Sequence, residues 1–190
     1  MRDAPTHRRR DRVGRISELL AKLKGAPMTV LNIEKNLAAV TLTVTSTFDA
    51  SLERMWQLWA DPRQLERWWG PPEWPATVVD HDLSPGGTVR HFMTGPDGDK
   101  AAGWWQIVSV DPPRSLELDD GFADADGNPN LALPVTRMRV DLSSDGPKTA
   151  TMIMTSQFPS VEAMQQVIDM GMEEGLRAAM GQIDSILAEG

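Results

Sequence analysis

The chain has no cysteine, which excludes disulfides, thiolate nucleophiles and cysteine metal sites and is compatible with a reducing cytoplasm. It has no apolar run near the roughly 20 residues of a membrane span, and its Arg-rich start lacks the apolar segment of a secretory signal. A soluble, cytoplasmic protein is expected. Phosphate-binding glycine loops, metalloprotease helices and the G-x-S-x-G elbow are missing, and no cofactor is expected. Cations are scarce beyond the first 27 residues. The remaining 163 carry 11 Lys/Arg against 24 acids, a net of −13. A body this acidic repels nucleic acid, because affinity for phosphates comes from Lys and Arg.

What is present divides unevenly. Residues 1–27 hold eight Lys/Arg against three acids. Their basic tract (Arg8, Arg9, Arg10, Arg12, Arg15) precedes a short helical pattern at Ile16, Leu19, Leu20 and Leu23, ended by Gly25 and Pro27. This segment is expected to be an extension outside the fold, with a partner-docking arm as the alternative. Met28 is a candidate natural start. Residues 28–190 then form one domain, and 41% hydrophobic content supplies a core.

Leu37 to Phe48 alternates Val40, Leu42 and Val44 with Thr41, Thr43 and Thr45, which predicts a half-buried strand. Two short helices are expected next. Leu52, Met55, Trp56 and Trp59 mark the buried stripe of the first. Asp61-Pro62-Arg63-Gln64 supplies an N-cap, a first-turn proline and a capping-box Gln for the second. Six strands follow. A hairpin centred at Gly86 would pair Val79 with Met93, His81 with His91, Leu83 with Val89 and Asp82 with Arg90. Thr136, Met138, Val140 and Leu142 are expected inward, with Arg137, Arg139 and Asp141 outward. Ser160 to Glu189 reads as one long amphipathic helix capped by Ser160. Gly171 and Gly175 on its inward face mean either close packing or room for a ligand. The fold class is α+β: about seven antiparallel strands curled around the last helix, with two short helices after the first strand.

Several motifs, in this order, resemble one family. They are Thr47-Phe48-Asp49-Ala50, Met55-Trp56, Asp61-Pro62, Trp68-Trp69-Gly70-Pro71, Asp82-Leu83 with Pro85-Gly86-Gly87, and Gly95-Pro96-Asp97-Gly98. Asp111-Pro112-Pro113, Asp120-Gly121-Phe122-Ala123-Asp124 and Gly171-Met172-Glu173-Glu174-Gly175 complete them. Over roughly residues 38–188 the chain resembles the START-like, birch-pollen-allergen-like superfamily (SRPBCC), in the branch of heat-shock-protein-90 ATPase activator homologues. Where that family often has Arg, this chain has Ser46 and Ser84. The resemblance implies a helix-grip fold with a deep cavity between sheet and long helix. Members bind apolar small molecules, some are cyclases or hydrolases, and some are co-chaperones.

The candidate ligand-binding set is His81, His91, Met93, Trp104, Met138, Val140, Met152, Met154, Met164, Ile168, Gly171 and Gly175. His81 and His91 are also the candidate catalytic pair, since imidazole titrates near neutrality. The alternatives for them are a mutually satisfied buried pair or, as a poor site, a metal. The methionines suit a surface that accepts varied apolar shapes, or plain core. Trp56, Trp59, Trp68 and Trp69 read as core and lid packing, and Asp119, Asp120 and Asp124 with Asn128 as a solvated acidic loop. The function expected is non-enzymatic binding of an apolar or aromatic small molecule, as carrier, sensor or sequestering protein. A cyclase or hydrolase using the histidines and a co-chaperone-like interaction module are the alternatives. A homodimer or a protein partner stays open.

Overall fold

The computed structural model describes residues 30–189. The basic extension 1–27 and its expected helix lie outside them. Eight strands form one antiparallel sheet: β1 (Val30–Asn36), β2 (Thr41–Phe48), β3 (Ala76–His81), β4 (Thr88–Thr94), β5 (Lys100–Asp111), β6 (Ser115–Ala123), β7 (Thr136–Gly146) and β8 (Thr149–Gln157). Their spatial order is β1-β2-β8-β7-β6-β5-β4-β3. Helices α1 (Leu52–Ala60) and α2 (Pro62–Leu65) follow β2, and α3 (Val161–Asp169), α4 (Met172–Met180) and α5 (Ile183–Ala188) close the chain. This is the α+β helix-grip architecture, with a curved sheet gripping the C-terminal helices.

The alternation of β2 carries through to the structure: Leu42, Val44, Ser46 and Phe48 are buried and the threonines between them are not. Leu37, by contrast, lies in the β1–β2 turn and is 62% exposed. The extra strand β1 raises the count to eight and places the two short helices after the second strand. Its apolar residues Leu31 and Ile33 are only half-buried, so they leave a faint pattern in the sequence.

Side chains cap three helices, at the expected Asp61 and Ser160 and also at Ser51. Ser51 Oγ accepts from Arg54 N at 3.1 Å, an Asp61 carboxylate oxygen accepts from Arg63 N at 2.8 Å, and Ser160 Oγ accepts from Ala163 N at 3.0 Å. The capping box at Gln64 does not form. Asp61 N donates to Gln57 O instead, and Gln64 Oε1 is buried without a partner.

The C-terminal run is three helices, not one. Gly171 has φ of 95°, in the left-handed region, and ends α3. A tight turn at Gly181 and Gln182 separates α4 from α5. There Gln182 Nε2 donates to Gly70 O at 2.7 Å, and Arg54 reaches Ile186 O at 3.2 Å. These bonds tie the helices to the segment after β2, which makes one wall of the site.

The β3–β4 hairpin differs from the expected register. Ala76 pairs with Met93, Val78 with His91, Asp80 with Arg90 and His81 with Val89, with a shift between Val78 and Asp80. One extra residue, Val79, is left 59% exposed. The acid opposite Arg90 is therefore Asp80 and not Asp82. The two aspartates lie two residues apart, so charge matching alone accepts either register.

Candidate ligand-binding site

Between the inner face of the sheet and α3–α4 lies a cavity of about 460 Å³. The sheet contributes Val44, Met93, Gly103, Phe122, Met138 and Met154, and the helices contribute Val167, Met172, Gly175 and Leu176. The segment between α2 and β3 adds Trp68, Trp69 and Trp74. Polar groups are few: His91, Asp120, Thr136 and Ser156. Met170 on this wall, beside the α3–α4 break, is 53% exposed.

Gly103 positions His91. Its neighbours across the sheet are His91 and Phe122. A Cβ at Gly103 would lie 2.7 Å from His91 Nε2, so the imidazole occupies the space a side chain would fill. His91 is buried, and Trp69 Nε1 donates to its Nε2 at 3.1 Å. Accepting that bond leaves the proton on Nδ1, which is buried and unpartnered. Burial also lowers the pKa of His91 to about 4. The imidazole is neutral at pH 7, with Nε2 bonded to Trp69 and Nδ1 buried.

Asp120 is the other ionisable group on the wall. It pairs in register with Trp105 on β5 and Thr136 on β7, which turns its carboxyl inward. It is half-buried and lines the cavity. Burial pushes its pKa up to about 7. The indole N–H of Trp105 pulls the other way, yet the two groups stop short of a closed hydrogen bond and Trp105 Nε1 stays buried without a partner. Asp119, one residue earlier, faces outward and binds Arg137 at 2.6 Å.

The fold agrees with the comparisons to known proteins. Residues 49–188 match the family model described as activator of Hsp90 ATPase homolog 1-like protein. The chain belongs to this family. The crystal structure of a Mycobacterium smegmatis protein is similar at 51% identity and a TM-score of 0.75, covering 84% of this chain and 97% of that one. The solution structure of an Arthrobacter aurescens protein is similar at 47% identity and a TM-score of 0.80, covering 84% and 92%. A Silicibacter pomeroyi protein, at 21% identity and a TM-score of 0.62 over 78% and 97%, shares the fold. No curated protein sequence matches the chain.

Within this member of the activator-homologue family, the expected site residues separate into two groups. His91, Met93, Met138, Met154, Gly171 and Gly175 meet at the cavity. Val140, Met152 and Met164 are core, and Ile168 packs against it. Trp104 points outward, its indole lying over Gly121 and donating to Phe122 O at 2.9 Å. The inward residue of that pair is Trp105, because β5 presents Gly103, Trp105 and Ile107 to the core. His81 is half-buried, and its Nε2 lies 2.9 Å from Trp59 O, away from the cavity wall. The bulge at Val79 sets it opposite Val89, so the two histidines form no pair.

Trp68 and Trp69 line the cavity, beyond the packing role expected of them. Asp120 does not belong to the expected solvated acidic loop: strand alternation sends it inward while Asp119 goes out. The signal was available in Leu116, Leu118 and Asp120, which share one face of β6. Among the described residues no cluster of three His, Asp or Glu could hold a metal. No helix among them is long and apolar enough to cross a membrane.

Proposed function

We propose that the protein binds an apolar or aromatic small molecule between the sheet and the C-terminal helices, as a carrier, sensor or sequestering protein. The cavity of about 460 Å³ carries this reading, because its size falls within the roughly 300–1,000 Å³ of small-molecule sites. Its walls are methionine, tryptophan and aliphatic side chains with a few convergent polar groups, the usual composition of such sites. Gly175 supports the space-making role of the helix glycines, since a Cβ there would meet no atom within 4 Å. Burying about 200 Å² of ligand apolar surface would contribute about 5 kcal/mol before association costs. The acid–base reading of His81 and His91 draws no support from their separate bonding.

The test is native mass spectrometry of the protein purified from its own source, with denatured extract alongside. A reproducible excess mass that releases as a small molecule is the expected result. A bare mass, with no thermal shift across an apolar library, would overturn the reading and move attention to a protein partner.

A further inference from the structure

We infer that the cavity selects an apolar, aromatic molecule carrying one basic nitrogen, with Asp120 as the counter-ion of its ammonium group. This rests on the small-molecule reading above and names the chemical class of the ligand. Among the described residues Asp120 and His91 are the ionisable groups on the wall, and no Lys or Arg lines it. Among the described residues no cation pairs with Asp120, whereas its neighbour Asp119 is bound to Arg137 on the opposite face. A carboxylate in an apolar chamber is costly until an opposite charge joins it. His91 cannot supply that charge, because it stays neutral down to about pH 4.

The surroundings suit a cation with an aromatic body. Trp69 packs edge-to-face on Trp105 with centroids 4.8 Å apart, and Trp105 is the cross-strand neighbour of Asp120. Phe122 follows on the same face of β6. Indole and phenyl faces attract ammonium groups. The chain carries a formal net charge of −8, which favours the approach of cations over anions. A neutral hydroxyl could accept a hydrogen bond from the O–H of un-ionised Asp120, but it would gain nothing from this field.

The experiment uses naphthalene triplets of one shape: 1-naphthylmethylamine, 1-naphthalenemethanol and 1-naphthoic acid, titrated by calorimetry at pH 8. The amine is expected to bind about tenfold tighter than the alcohol, and the acid weakest. Asp120→Asn should erase the amine's advantage while leaving the alcohol's affinity within about threefold. A wild-type readout runs in parallel: the carboxyl carbon of Asp120, followed by NMR, should titrate near pH 7 alone, well below that with the amine, and unchanged with the alcohol. The titratable groups facing Asp120 are few. His91 comes from β4, β5 and β7 present Trp105 and Thr136, and the helices contribute apolar side chains and Gly175. Equal binding of amine and alcohol, or an amine preference that survives Asp120→Asn, overturns the inference and leaves the small-molecule reading standing. If no member of the naphthalene triplet binds, the inference falls, and the small-molecule reading is decided separately by the native mass spectrometry above.

Discussion

The indole N–H of Trp69 donates to Nε2 of His91 at 3.1 Å, and this bond decides what the histidine can do. It uses the nitrogen nearest Gly103 and fixes the neutral Nδ1–H tautomer. Long-range nitrogen–proton NMR should find His91 in that single tautomer from pH 5 to 8. Trp69→Phe should mix the tautomers and cost about 1–2 kcal/mol in urea unfolding, because a second buried nitrogen loses its partner. A tautomer unchanged in Trp69→Phe would mean that the bond does not set it.

His91 and Asp120 oppose each other in the pH dependence of stability. The folded-state pKa of Asp120 is raised to about 7, so the folded protein holds a proton that the unfolded chain releases above about pH 4. Its contribution is present at low pH and is lost as pH rises to about 7. The folded-state pKa of His91 is lowered to about 4, so its contribution is present above about pH 6.5 and is lost as pH falls to about 4. These two effects nearly cancel over about pH 4–6.5. Asp120→Asn should therefore grow more stable with rising pH across that window, and His91→Gln less stable, each by on the order of 2 kcal/mol. Chemical unfolding at half-unit pH steps reads both slopes, and parallel curves for the two variants would refute the opposition.

Gly171 and Gly175 should respond to alanine in opposite directions. Gly175 lies inside α4 with open space where a Cβ would go, so Gly175→Ala should gain about 1 kcal/mol from helix propensity alone. Gly171 has φ of 95°, so Gly171→Ala should lose about 1 kcal/mol. Thermal unfolding of the two variants checks the contrast.

Ser46 Oγ is buried without a partner on the inward face of β2. Removing an unsatisfied hydroxyl removes its desolvation cost, so Ser46→Ala should stabilise the protein by about 1 kcal/mol. Loss of stability in that variant would show that the hydroxyl has a partner, such as a bound water.

Much of the fold was legible because its signals are local. The Leu42–Val44 alternation, the caps at Asp61 and Ser160, and the outward Arg137 and Arg139 each depend on neighbours a few residues away. The site was half legible. Met138 and Met154 fall on faces that strand period two assigns correctly. Trp104 and Trp105 look alike in the sequence until the strand's phase is known, and the phase turns Trp105 inward.

The sequence by itself determined the strand and helix inventory in outline, the N-caps, the acidic field and the family, since periodicity, capping and charge are properties of short stretches or of simple sums. Only the tertiary structure decided that a bulge at Val79 separates His81 from His91, and that the C-terminal run breaks at Gly171. It also decided that Asp120 sits in a chamber and not in water. Each of these depends on which distant residues meet across the sheet. Register and desolvation arise from those meetings, and no stretch of the chain carries them alone.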